Sequence, residues 1–158
     1  MAENDSERAP GDAGLMIRNA VAHDLPVVIA LDERNTGIPK PDYWRDMFER
    51  FGTGREGRYF LVAESKGQVV GFIIGEIRAW EFGSPPCGWI FALTVNPDIR
   101  LGRIGTQMFN AICGCFKAAG VTKVRTMTSR DDLTVLSFFR SQGMMAGPSI
   151  QLELDLDE

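Results

Sequence analysis

Stretches of alternating or continuous apolar residues take turns along this chain with stretches where apolar residues recur every three to four positions. Leu15 to Ala20 is short and reads as a strand. Asp24, Leu25 and Pro26 open a helix, since an aspartate can cap the first amides and a proline suits the first turn. Leu25, Val28 and Ile29 give that helix its apolar stripe. Gly37, Pro39 and Pro41 interrupt the pattern. Trp44, Met47, Phe48 and Phe51 then fall on one helical face. Arg58 to Glu64 and Gln68 to Trp80 read as strands joined by a Ser65-Lys66-Gly67 turn, an antiparallel hairpin. Trp89 to Val95 follows a Pro85-Pro86 loop as the third strand of a meander. From about Arg103 to Ala119, Ile104, Met108, Ala111, Ile112, Cys115 and Ala119 form one stripe, and Gly120 is a natural stop. Val121 to Met127 predicts a strand. Asp131 or Asp132 caps a helix reaching about Gln142, and Ile150 to Leu154 alternates as a last strand. Meander strands are antiparallel, whereas the strand–helix–strand unit at residues 89–127 demands a parallel crossover. The expected class is α/β with a mixed sheet flanked by helices.

The length, 158 residues, suits one domain with a real core. A net charge of −4, with no basic run, argues against nucleic acid as a partner. No apolar run approaches the ~20 residues of a membrane span. Residues 1–14 are acidic, small and polar, which predicts a disordered tail without a secretion signal and a cytoplasmic location. Three cysteines, Cys87, Cys113 and Cys115, make no disulfide framework. Cys113 and Cys115 point to different helical faces, so no metal site is expected; Cys115 reads as core and Cys113 as partly buried.

The chemistry concentrates at Val95 to Phe109, where a buried strand runs through a basic, glycine-containing turn into a helix. The first amides of a helix lack internal acceptors and carry partial positive charge, so this order makes an anion site. Gly102 and Gly105 admit a ligand to the backbone, and Arg100 and Arg103 add charge. A Walker loop is excluded because no lysine follows a glycine in that frame. A dinucleotide loop is excluded because only Gly102-x-x-Gly105 is present.

Asn96-Pro97-Asp98-x-Arg100-x-Gly102-Arg103-Ile104-Gly105 resembles motif A of the GCN5-related N-acetyltransferases (GNAT), whose Arg/Gln-x-x-Gly-x-Gly/Ala turn binds the pyrophosphate of acetyl-CoA. Asp132 to Met144 resembles the Asn-x-x-Ala-x-x-Phe-Tyr stretch that follows the fifth strand in that family. The element order matches too, so the resemblance spans residues 15–158. It implies a single-domain fold whose antiparallel meander is joined to a parallel splayed pair of strands. It also implies acetyl-CoA as cosubstrate. Arg100, Leu101, Gly102, Arg103, Ile104 and Gly105 would face the pyrophosphate, with Thr106 adding a hydroxyl. Leu93, Thr94 and Val95 would present backbone groups to the pantetheine arm. The second motif brings in Asp132 and Phe139. The implied reaction is direct transfer to an amine held on the other side of the gap.

Three positions depart from the family pattern. Arg103 replaces the middle glycine, either pointing outward to add charge or obstructing the turn. Phe139 stands where the family has a tyrosine that protonates the leaving thiolate; water or Ser137 could serve instead. Trp89 stands where many members carry a glutamate. Glu76, on a strand face with Val70, Phe72 and Ile74, is the candidate base, and an ion pair with Arg78 at the strand end is the alternative. Glu81 and His23 are weaker candidates, and His23 reads as a surface or capping residue. Tyr43, Trp44, Asp42 and Asp46 suggest a mouth for a cationic amine, or else a core tryptophan with a solvated acidic face. A short segment from Met144 to Pro148 would leave the acceptor groove open. The leading function is acetyl-CoA-dependent N-acetylation of an amine, protein-borne or small. A catalytically weak or silent acyl-CoA-binding sensor module is the alternative, and a larger acyl group among Trp89, Phe91 and Phe139 is a third reading. A homodimer through the sheet edge or the last strand is compatible with this pattern.

Overall fold

A computed structural model describes residues 14–99 and 102–157. These fall into two compact units, divided between Met127 and Thr128. The expected tail lies, apart from Gly14, outside the described residues.

The first unit carries a five-stranded sheet in the order β1-β2-β3-β4-β5. β1 (Leu15–Asn19), β2 (Arg58–Ser65), β3 (Gln68–Arg78) and β4 (Cys87–Val95) are antiparallel, and β5 (Val124–Thr126) runs parallel to β4. The mixed sheet expected from the hydrophobic pattern is present. Lys66 and Gly67 both have positive φ, as a tight two-residue hairpin turn requires, and Ser65 pairs with Gln68 across it.

Helix α1 (Leu25–Thr36) ends at a left-handed Gly37, and α2 (Pro41–Phe51) begins on Pro41, which needs no amide there. Both cover one face of the sheet. Val28, Leu31, Trp44, Met47 and Phe51 pack with Phe60, Val62, Phe72 and Ile74. The indole of Trp44 donates to buried Asp32 at 2.9 Å, and Lys40 pairs with the same carboxylate at 2.9 Å. Trp44 therefore belongs to the core. Asp42 and Asp46 form ion pairs with Arg45 and Arg50 on the outer face, so no acidic mouth forms there.

Helix α3 (Ile104–Ala118) covers the other face with Ile104, Met108, Ile112 and Phe116. It lies close because three sheet residues on this face, Gly71, Gly75 and Gly88, lack side chains. A Cβ on Gly75 would come within 2.9 Å of Ile112 Cδ1, and one on Gly88 within 2.6 Å of the Phe116 ring.

Several expectations need correction. Asp24 does not cap α1 with its side chain. Its carboxylate instead accepts from Arg18 at 2.7 and 2.9 Å and from the Val21 amide at 2.8 Å. Those bonds hold the Asp24 carboxyl below its ordinary range and raise the Arg18 guanidinium. Cys115 is only half-buried, because it borders a cavity with Asn19, Arg55 and Tyr59 at the sheet margin. Burial raises the thiols of Cys113 and Cys115. The strand expected over Val121–Met127 shrinks to three residues. The second unit holds α4 (Leu133–Ser141), whose first turn is capped by Asp132 accepting from Val135 at 3.1 Å. No strand forms at Ile150–Leu154, where Ile150, Leu152 and Leu154 are exposed. Alternation selects a face but supplies no backbone partner, and a strand needs one.

Candidate active site

The parallel pair is the unusual part of the sheet. β4 pairs with β5 at Gly88–Val124, Trp89–Arg125 and Ile90–Thr126, and no further. Five β4 residues, Phe91 to Val95, continue beyond the last rung. The Thr126 hydroxyl closes the ladder by donating to the Ile90 carbonyl at 2.8 Å. On its other side β4 keeps its pairing to β3, with Leu93, Thr94 and Val95 opposite Ile73, Phe72 and Gly71. The register slips between Ile74 and Gly75, so that Ala92 and Ile90 face these neighbours and Phe91 is the extra residue of a bulge. The bulge puts Phe91 against Phe51 of α2, with ring centroids 5.0 Å apart, while Ala92 also packs on the α1–α2 core. A gap bounded by β4 backbone thus opens on the β5 side, directly before the turn into α3.

That turn is held from outside. Asn96 Oδ1 accepts from the Asp98 amide at 3.0 Å, and Arg34 at the end of α1 reaches Asn96 at 3.1 Å and Asp98 at 2.8 Å. Nothing in the sequence flagged Arg34, which lies more than sixty residues from its partners. Arg100 and Leu101 lie outside the described residues. Gly102 is exposed, and a Cβ there would meet nothing within 4 Å. Arg103 is the N-cap of α3, with φ 76° and ψ 17°, and is exposed. A left-handed backbone is where glycine is favoured. The resemblance places a glycine at this position, and here an arginine carries the left-handed backbone. Its exposure agrees with the outward reading. Ile104 turns inward and is 2 % exposed, so its side chain belongs to the core and its amide to the helix start. Gly105 and Thr106 follow on the first turn, half-buried. The amide of Gly105 belongs to the set that a helix leaves without internal acceptors. The positive end of the α3 dipole therefore stands at the mouth of the gap.

Glu76 lies opposite Trp89 on β4 and Arg58 on β2. It accepts from Arg78 Nε at 3.0 Å, so the ion pair expected as an alternative forms, with Glu76 one-fifth exposed. His23 is exposed. Glu81 sits on the loop after β3, flanked by Trp80 and Phe82, which both have positive φ and are largely exposed. Asp132 and Phe139 belong to the second unit, where Asp132 caps α4 and Phe139 is buried on it. Among the described residues no group of His, Cys, Asp and Glu could hold a metal, and no helix is long and apolar enough to cross a membrane.

Comparison with solved structures finds the same fold. Aminoglycoside N-acetyltransferase AAC(6')-Iy in complex with CoA superposes with a TM-score of 0.80 at 16% identity, covering 95% of this chain and 100% of that one. The aminoglycoside 6'-N-acetyltransferase AAC(6')-Ih from Acinetobacter baumannii gives 0.76 at 16% identity, covering 91% and 100%. An aminoglycoside acetyltransferase from an uncultured soil metagenomic sample, in complex with sisomicin, gives 0.72 at 20% identity, covering 92% and 99%. A search of curated proteins by sequence returned no match. The model of the acetyltransferase (GNAT) family matches residues 25–144, from the start of α1 to just beyond α4. With the parting of β4 from β5, the α3 entry and three-quarters of the chain matched, this protein belongs to the GNAT family of acetyltransferases, for which acetyl-CoA is the cosubstrate.

Proposed function

We propose that the chain transfers an acetyl group from acetyl-CoA directly to an amine acceptor. The observation that carries this is the β4 segment Phe91–Val95, which runs past its last β5 rung into the N-terminus of α3. In this reading the amides of residues 100–105, with the charge of Arg103 and Arg100, hold the pyrophosphate, and Thr106 adds a hydroxyl contact. Leu93, Thr94 and Val95 hold the pantetheine arm by backbone hydrogen bonds. The thioester lies in the gap beside the bulge at Phe91. Backbone donors there stabilise the charge that develops on its carbonyl oxygen.

The amine nitrogen attacks the thioester carbon, the C–S bond breaks, and CoA leaves as a thiolate that takes up a proton. An alkyl amine with a pKa of about 10.4 arrives charged, so a base must remove its proton first. Glu76 is the carboxylate we assign to that task. Its bond from Arg78 Nε at 3.0 Å fixes the position of that carboxylate. A catalytically silent acyl-CoA-binding module is the second reading, and Phe139 in place of a tyrosine acid favours it.

Incubation with acetyl-CoA and a panel of amines, following free thiol, separates the two. Acceptor-dependent release supports the enzyme reading; tight CoA binding without release overturns it. Gly105→Glu places bulk and negative charge at the start of α3 and abolishes CoA binding measured by calorimetry. Retained affinity would show that the phosphate site lies elsewhere.

A further inference from the structure

We propose that the acceptor is a small amine that also carries a carboxylate, which Arg78 and Arg125 bind on either side of Trp89. This rests on the acetyl-transfer reading above and names its acceptor class.

Four side chains stand in register across four strands: Arg58 on β2, Glu76 on β3, Trp89 on β4 and Arg125 on β5. Residues in register share a face of the sheet. Here it is the α2 face, since Ile74, two before Glu76, packs in the α1–α2 core and Phe91, two after Trp89, meets Phe51. Arg78 joins the row by lying over the Trp89 ring, 5.3 Å from its centre. The row carries three arginines and one carboxylate. Arg78 satisfies Glu76, and Arg58 lies over the Phe51 ring and donates to the Arg50 carbonyl, while Arg125 is half-buried and forms no ion pair among the described residues. A half-buried cation without a counter-charge is costly, and a bound anion relieves that cost.

The guanidinium groups are held in place with donors left over. Arg125 gives one N–H to the Ser84 hydroxyl at 3.0 Å. A guanidinium has five, arranged in a fork that matches a carboxylate. Arg78, Trp89 and Arg125 face one small cleft, floored by Cys87 and edged by Phe82 and Ser84. Glu81 also edges it, but is exposed and therefore screened by solvent.

Position links this cleft to the reaction. Trp89–Arg125 is the rung before the last one, so β4 and β5 part just beyond it. At about 3.3 Å per strand residue, the Trp89 rung lies about 7 Å from the bulge at Phe91. That is the span of a short aliphatic chain. An acceptor with its carboxylate between Arg78 and Arg125 presents its amine to the gap. A polycationic acceptor meets like charge at the same place.

The test uses δ-aminovalerate, δ-aminovaleramide and cadaverine, which share one chain length and differ in the terminal group. With acetyl-CoA and thiol detection, kcat/KM for the acid exceeds that for the amide by at least about tenfold, as one charge-assisted bidentate contact predicts, and cadaverine is poorest. Arg125→Gln brings the acid-to-amide ratio toward one, and Arg125→Lys, which keeps the charge, retains part of it. Equal use of acid and amide, or preference for cadaverine, overturns the proposal. Calorimetry of the three probes on the protein–CoA complex gives a readout independent of turnover. Acid-selective binding lost in Arg125→Gln upholds the acceptor class even where no thiol is released, which would overturn only the catalytic reading. Absence of acid-selective binding overturns the class itself.

Discussion

Arg103 holds a backbone conformation that an L-residue with a side chain resists, at φ 76° and ψ 17°, on the last residue before α3. The left-handed region costs a non-glycine residue about 1–2 kcal/mol. Arg103→Gly removes that cost but gives the unfolded chain more freedom, which returns about 0.4–1 kcal/mol. The expected gain is therefore about 0.5–1 kcal/mol, or about 2 °C in Tm for a chain of this length. Arg103→Ala is the control: it removes the same charge but keeps a Cβ, so it brings no such gain. Thermal unfolding of the three proteins without ligand reads the difference. CoA affinity should move the opposite way. Arg103 is exposed at the proposed phosphate site, so both variants bind CoA a few-fold less tightly at low salt, and the loss shrinks as salt rises. If Arg103→Gly melts no higher than Arg103→Ala, the strain at this turn is not real. If it binds CoA more tightly than the parent protein, the arginine obstructs the site and does not serve it.

Glu76→Gln should lower kcat and flatten its rise with pH; an unchanged profile would remove Glu76 as the base. Asp24→Asn, which breaks a buried charge-assisted pair with Arg18, should cost about 2 kcal/mol in urea unfolding near neutral pH. Because the folded Asp24 carboxyl is held below its unfolded value, near 3.9, its contribution is fully present above about pH 4 and fades as the pH falls through the folded value. The gap between variant and parent should therefore narrow in acid, and a gap independent of pH would contradict the assignment. Gly75→Ala forces a Cβ to within 2.7 Å of the Trp89 carbonyl and 2.9 Å of Ile112, so the denaturation midpoint should drop by the equivalent of about 1–3 kcal/mol.

Element type and order were legible in the chain because each surface element here buries a single face. The α2 stripe of Trp44, Met47 and Phe51 and the α3 stripe of Ile104, Met108 and Ile112 are all buried, as their spacing requires. The passage from β4 into α3 was legible for a similar reason, since a strand, a glycine-containing turn and a helix start are consecutive in sequence. What a periodic pattern cannot report is the identity of a partner. Asp24 looked like a helix cap and is the partner of Arg18. The alternation at Ile150–Leu154 looked like a strand and finds none to pair with among the described residues.

The sequence by itself determined the mixed sheet, the helix that follows β4, the resemblance to motif A and the oddity of an arginine at position 103. Tertiary structure alone decided how far β5 pairs with β4, where the bulge falls, that Arg34 braces the turn, and that Arg58, Glu76, Trp89 and Arg125 form one row. The division follows from range. Backbone propensity and side-chain periodicity act over a few residues, so they leave their mark in consecutive letters. Strand register and cross-strand charge join residues as many as fifty positions apart, and exist only once the sheet has closed.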